Sequence, residues 1–412
     1  MQDTRNSFLE VFEGPNPGHA TRLPDRERLP AYVSADPLPL ERLDDLRALV
    51  IGTGAVGGPL AVDLARLAPA QIGIVDPGIF KAQSVATQPI QPGEVGCCKA
   101  ELMARRCKEI SPRTRVLYYP GAVQELSLVE LAQFNMAILA TDNLFAEVES
   151  GRHCTALGIP MIQGSVQGET MVVHVRFFGN ASADSPCPAC GFGRQEWDLF
   201  GSEVSFSCEG AAAATPRPEV ATQPTMSTSG QCGLAASLVI NQVLRATLRL
   251  GAPVEDSLLE YCGMTHRSHL SALRRNPDCP CEHRRYELST ARRPLERCSL
   301  AELAKQAGPD ELLDFTVGEW RWAERGVCEC GHEQAVGLFV APGHELAGHC
   351  ARCGRPLHCQ PFFLHRRIGA ACFETIGHRP LHELGAERVD WALVRSGHGG
   401  VLFQNPAQEN ED

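Results

Sequence analysis

Short apolar blocks alternate with amphipathic stretches through the first 300 residues. RALVIG, residues 47–52, is a compact apolar run of the kind that forms a buried strand. Behind it, GPLAVDLARLA carries apolar side chains at helical spacing, which predicts a helix. The alternation repeats. QIGIVDPG is a second strand, and KAELMARRCKEISP is a helix of good formers that stops at Ser111–Pro112. TRVLYYPG and MAILATDN are the third and fourth strands, and FAEVESGRHCTALG is a helix closed by Gly158. PMIQGSVQGETMVVHVRFF supplies two more strands, and LAASLVINQVLRATLRLG a further buried helix. Such a rhythm predicts an α/β fold: a Rossmann-like, doubly wound, mostly parallel sheet with helices on both faces.

Outside this block the pattern changes. Residues 1–45 are rich in Pro, Arg, Asp and Glu with little periodicity, and read as an N-terminal arm. Residues 209–230, EGAAAATPRPEVATQPTMSTSG, are small and proline-rich and read as a mobile loop. Residues 46–295 are therefore expected to form one nucleotide-binding domain. Residues 296–412 are expected to form a smaller α+β unit with short strands such as VGLFVAP and VDWALVRSG. No internal repeat is visible.

Composition narrows the class. The chain has 412 residues, 43% hydrophobic and 21% charged, as in ordinary globular proteins. Its 49 acids outnumber 38 Lys plus Arg, for a net charge of -11, which disfavours nucleic acid as a partner. No run reaches the roughly 18 apolar residues of a membrane helix, and the N-terminus lacks the apolar core of a secretory signal. The expected location is the cytoplasm, with no membrane partner. In that reducing setting, 18 cysteines at short spacings point to metal sites or reactive thiols rather than disulfides.

The chemistry starts at Gly52, Gly54 and Gly57, which fit G-x-G-x-x-G between strand and helix. The first allows a tight turn, the second lets a phosphate reach the backbone, and the third lets helix pack on strand. The helix N-terminus adds roughly 0.3–1 kcal/mol toward an anion. Asp76, ending the second strand, can hold ribose hydroxyls. These residues suit the adenosine of NAD and of ATP equally. Lys99, at a helix start, and Asp142, at the carboxyl end of the fourth strand, shift the balance. Ligands sit at carboxyl ends of such strands, and a cation beside a Mg-binding carboxylate serves a triphosphate. Each also has a plainer reading: Lys99 as a solvated residue, the TDN of Asp142 as a helix cap.

Metal-type spacings occur twice. Cys187 and Cys190, in CPAC, form a zinc knuckle. Cys328 and Cys330 with Cys350 and Cys353 form two knuckles bracketing a strand pattern, which reads as a zinc ribbon.

VIGTGAVGGPLAVDLARLAPAQIGIVDPG, VGCCKAE, ILATDN, TALGIPMIQGSVQGE and PCPAC occur in this order within residues 46–285. Together they resemble the ThiF/MoeB superfamily, the ubiquitin-activating-enzyme-like adenylyltransferases. The resemblance implies ATP and Mg2+ as cofactors, with adenylation of the C-terminal glycine of a ubiquitin-like or sulfur-carrier protein. Transfer to a cysteine, a downstream conjugating carrier and a homodimer would follow by analogy. On this resemblance Gly52, Gly54 and Gly57 cradle ATP, Asp76 holds the ribose, Gln88 and Lys99 contact the nucleotide, and Asp142 binds Mg2+. Cys208 stands where members carry an acyl-accepting thiol. Cys232, at the start of the following helix, is a second candidate. The resemblance also pairs Cys187 and Cys190 with Cys279 and Cys281 as zinc ligands, with His283 as an alternative. Two departures stand out: Ser84 replaces the usual Asn, and Thr87 replaces the usual Arg, so a positive charge near the phosphates is missing. Arg26 and Arg28 are arm arginines that could supply one. Loss of that charge keeps a second reading open, a non-catalytic scaffold that binds ubiquitin-like proteins.

Overall fold

The computed structural model describes residues 7–11, 39–194, 196–197, 227–251, 255–308, 312–341, 344, 346, 348–397 and 399–406. The chain divides into two compact units, one of residues 1–126 and 130–283, the other of residues 127–129 and 284–412.

The first unit holds a nine-stranded sheet. Its elements are β1 (Leu9–Glu10), β2 (Arg47–Ile51), α1 (Gly57–Arg66), β3 (Gln71–Val75), α2 (Lys99–Ile110), β4 (Arg115–Tyr119), α3 (Leu128–Ala132), β5 (Met136–Leu139), α4 (Leu144–Leu157), β6 (Met161–Gln167), β7 (Val172–Phe178), α5 (Ser229–Leu248), β8 (Ser257–Cys262) and β9 (Arg267–Ala272). The strand order is β1-β4-β3-β2-β5-β6-β7-β8-β9. From β4 to β6 neighbours are parallel; β1 and β7 to β9 join antiparallel. The expected doubly wound, mostly parallel sheet is present, with an antiparallel extension.

Strand order reverses between β2 and β5, and this switch point fixes where a ligand can bind. Strands running to the β4 edge place α1 and α2 on one face, over Val50, Ile72, Ile74 and Val116. α5 extends that face over Val173 and Val175. Strands beyond β5 place α4 on the opposite face, where Cys154 and Ile159 meet Leu49, Ala137, Leu139 and Met161. The central strands are buried on both faces, which is why they read as unbroken apolar runs.

Helix ends follow local chemistry. Asn143 caps α4 by accepting from the Phe145 and Ala146 N–H groups, and Gly158 closes it in the left-handed region, φ 64°. Thr228 caps α5 through the Gln231 N–H.

The second unit contains a five-stranded sheet, a three-stranded sheet and two short helices. Its elements are β10 (Tyr286–Thr290), α6 (Leu300–Ala307), β11 (Leu312–Val317), β12 (Arg321–Val327), β13 (Glu333–Val340), β14 (Leu364–His365), β15 (Ile368–Gly369), α7 (Ala370–Ile376), β16 (Trp391–Ser396) and β17 (Gly399–Gln404). The orders are β10-β17-β16-β11-β15 and β13-β12-β14. Because β10 pairs with β17, residues from 284 onward belong to this unit, ahead of the boundary at 295 that the sequence suggested. Leu303, Phe315, Ile376, Val394 and Phe403 form its core.

Candidate functional site

At the switch point, β2 ends in the glycine loop and β5 ends in Ala140–Thr141–Asp142. Gly52 has φ 86°, a conformation glycine adopts without strain, and its N–H donates to the Val75 carbonyl at 2.8 Å. A Cβ on Gly52 would stand 2.8 Å from the Ala140 carbonyl oxygen and 3.2 Å from the Thr141 side chain. A Cβ on Gly57 would stand 1.9 Å from the Gly52 carbonyl oxygen. These two glycines let the loop press onto β5 and onto itself. Gly54 differs, because a Cβ there would meet nothing within 4 Å. Its backbone faces open space, as close approach of a phosphate requires.

Asp76 follows β3. Its Oδ2 accepts from the Thr53 N–H at 2.7 Å and from the Thr53 hydroxyl at 3.0 Å. Its Oδ1 accepts from the Gly78 N–H at 2.8 Å. The buried carboxylate therefore ties the glycine loop to the strand beside it. Lys99, the first residue of α2, lies beside Asp76 at Gly78, where an added Cβ would stand 3.0 Å from Asp76 Oδ1 and 3.3 Å from Lys99 Cδ. Its N–H donates to the Gly78 carbonyl at 3.0 Å, and its ammonium stands 5.7 Å from the centre of the Phe80 ring. Lys99 is only 9% exposed, so it is not the solvated residue of the plainer reading. Gln88 is buried, and its neighbour Pro89 packs on Gly58 in the first turn of α1. Asn143 performs the capping, whereas Asp142 is exposed at the mouth of the switch point. Asp76 is thus tied to the glycine loop through Thr53 and meets Lys99 at Gly78, and Asp142 follows the neighbouring strand end of β5. Thr53 and Gly78, which position Asp76, carry no motif signal of their own.

Thr87 and Ser84 lie in a short helical turn at 82–86 and its cap, with the Ser84 hydroxyl accepting from the Lys81 N–H at 3.1 Å. Arg106 does not stand in for the missing arginine, since its guanidinium is committed to Glu94 and the Pro89 carbonyl. Arg26, Arg28 and Cys208 lie outside the described residues.

Cys232 is corrected as a nucleophile. It is buried in the first turn of α5, where burial pushes its thiol up rather than down. Cys154 packs in the core under α4, its thiol pushed up by burial to about 12. Cys97, by contrast, is exposed.

The first cysteine cluster also departs from expectation. Cys187, Cys190, Cys279 and His283 bring their ligand atoms within 4.8 Å of one another, and Cys281 is not among them. The His283 Nδ1 donates to the Ser185 carbonyl at 2.9 Å, turning Nε2 toward Cys190 Sγ at 3.6 Å. A carbonyl holding the far nitrogen of a ligating histidine is the usual arrangement around zinc. Cys281 lies beside the cluster, its thiol in hydrogen-bond contact with Cys187 and Cys279.

In the second unit Cys328, Cys330, Cys350 and Cys353 also gather within 4.8 Å. Each pair sits in a tight turn: Gly331 N–H donates to the Cys328 carbonyl, Gly354 N–H to the Cys350 carbonyl, and both glycines have positive φ. β13 lies between the pairs, as the ribbon reading expected. Both donor sets suit a tetrahedral zinc ion.

The architecture and the loop define a class, a doubly wound α/β domain with a glycine loop at its switch point and a cysteine-rich knuckle. The sequence matches the ThiF family over residues 28–281, and the chain belongs to that family. It is 26% identical over 248 residues to the adenylyltransferase and sulfurtransferase MOCS3-1 of Zea mays, covering 58% of this chain and 47% of that one. It is 25% identical over 248 residues to the SAMP-activating enzyme E1 of Haloferax volcanii, covering 58% and 81%. It is 24% identical over 249 residues to the sulfur carrier protein adenylyltransferase of Thermus thermophilus, covering 58% and 83%. The chain therefore spans about half the length of the maize relative. Among solved structures, E. coli MccB with ATP superposes with a TM-score of 0.46 at 14% identity, covering 59% of this chain and 67% of that one. Among the described residues, no helix is long and apolar enough to cross a membrane.

Proposed function

We propose that the chain binds ATP·Mg and adenylates the C-terminal glycine of a ubiquitin-like or sulfur-carrier protein. What supports this reading is chain placement at the switch point: Gly54, Asp76 and Asp142 follow the carboxyl ends of β2, β3 and β5, and Lys99 begins α2. The open backbone at Gly54 and the N-terminus of α1 accept phosphate, and Lys99 contributes positive charge beside it. Asp76 supplies carboxylate lone pairs for the ribose, and Asp142 would hold Mg2+, whose charge would offset that of the leaving pyrophosphate. An oxygen of the acyl substrate's carboxylate attacks the α-phosphorus. The bond from that phosphorus to the bridging oxygen breaks, and pyrophosphate departs. The family membership and the names of the relatives agree with this chemistry.

On the same reading Cys208 accepts the acyl group as a thioester, the second unit recruits the acyl substrate or the next carrier, and the chain works as a cytoplasmic homodimer. Cys187, Cys190, Cys279 and His283 hold one structural zinc, and Cys328, Cys330, Cys350 and Cys353 hold another. Thr87 favours a second reading, a scaffold that binds ubiquitin-like tails without activating them.

Asp142→Ala tests the assignment. Asp142 is exposed, so the variant should keep its fold and melting temperature while losing pyrophosphate release. Full activity in that variant would overturn the metal-binding role.

A further inference from the structure

One cation near the switch point belongs to no motif. Arg176 lies on β7, paired with Gln163 on β6, which pairs with Leu139 at the end of β5. At the roughly 4.8 Å spacing of strands, Arg176 stands about 10 Å from the strand end that delivers Asp142. Side chains alternate along each strand, so Gln163 and Arg176 share the α4 face with Met161 and Phe178, which are core residues there. Beyond α4 that face turns polar: Ser165 pairs with His174, and His174 Nε2 stands 3.4 Å from Glu260 on β8.

Arg176 is half-buried, and among the described residues its one hydrogen bond is from Nη1 to Gln163 Oε1 at 3.3 Å. Glu147, in the first turn of α4, bonds to Gln163 and feels the Arg176 charge. Burial pushes the Glu147 carboxyl up, against the opposing pull of the Arg176 charge and the Gln163 bond, and among the described residues no ion pair within 4.0 Å joins Glu147 to Arg176. A guanidinium in partly buried surroundings with most of its donors uncommitted is costly unless an anion completes it. Its planar fork matches a carboxylate.

We propose that Arg176, oriented by Gln163, binds the C-terminal carboxylate of the acyl substrate and holds it beside Asp142 for attack on the α-phosphorus. The proposal rests on the adenylation reading above and assigns the acyl half of that site. Arg176 then supplies a positive charge to the acyl half of the site. Gln163 acts as a positioning residue, since its carbonyl oxygen fixes the guanidinium.

The test compares two ligands on the full-length chain by calorimetry. One is ATP·Mg. The other is glycylglycyl-sulfamoyl adenosine, a stable acyl-adenylate analogue whose acyl sulfamate carries a negative charge where the carboxyl was. Arg176→Ala should bind ATP·Mg as the wild type does and the analogue about tenfold or more weakly, the scale of a charge-assisted bidentate contact. Arg176→Lys should fall between, keeping the charge and losing the fork. Equal analogue affinity in Arg176→Ala and wild type would overturn the proposal and leave the nucleotide reading intact. Binding of ATP·Mg but not of the analogue by the wild type would also overturn it. A wild type that binds neither would refute the adenylation reading itself.

Discussion

Gly57 and Gly54 are two loop positions that the structure makes opposite in kind. Adding a methyl at Gly57 places a carbon 1.9 Å from the Gly52 carbonyl oxygen, 2.9 Å from its carbon and 3.2 Å from Ala140 Cβ. Ordinary carbon contacts begin at roughly 3.5 Å, so backbone must move. Overpacking of this kind costs about 1–3 kcal/mol or more. Replacing a helical glycine with alanine returns up to about 1 kcal/mol. The net expectation for Gly57→Ala is a loss of about 1–2 kcal/mol or more, a fall of roughly 2–8 °C in the first unit's melting transition. At Gly54 the added methyl meets nothing, and φ there is not positive, so Gly54→Ala should melt with the wild type. It should nonetheless lose ATP, because the methyl fills the space through which a phosphate reaches the backbone. Thermal melts and ATP calorimetry on both variants separate the effects. Wild-type ATP affinity in Gly54→Ala, or wild-type stability in Gly57→Ala, would refute the assignment of the loop.

The remaining predictions concern metal and charge. Metal analysis of the purified chain should return about two zinc ions, one for each four-ligand group. His283→Ala should release one and Cys281→Ala neither; the reverse pattern would restore Cys281 as the ligand. Glu147→Gln should raise stability near neutral pH. Its folded carboxyl titrates above the unfolded value, so it favours folding fully at acid pH and loses that contribution as pH rises through the folded value. The gain from Glu147→Gln in thermal melts should therefore shrink on acidification, and a gain independent of pH would contradict the burial argument.

Much of the first unit was legible because its signals are local. The glycine loop, the apolar blocks of β2, β3 and β5 and the αL glycine at 158 each follow from a few neighbouring residues. The place of Asp142 just past a strand was legible because the apolar run of β5 stops at Leu139. What was hidden depends on pairing across the chain. His283 joins the first cysteine cluster because the Ser185 carbonyl, 98 residues earlier, holds its ring. Arg176 gains meaning only through its register with Gln163 and, through β6, with the end of β5. The break between units falls early because β10 pairs with β17, at the far end of the chain. Cys232 looked like a helix-start thiol, but its position says nothing of burial, and burial decides its protonation.

ATP–pyrophosphate exchange with the purified chain, in the presence of candidate ubiquitin-like proteins ending in glycine, tests adenylation most directly. The account predicts exchange that appears with a matching partner and disappears in Asp142→Ala. ATP binding without exchange under any partner would contradict it and favour the scaffold, with Thr87 as the residue responsible.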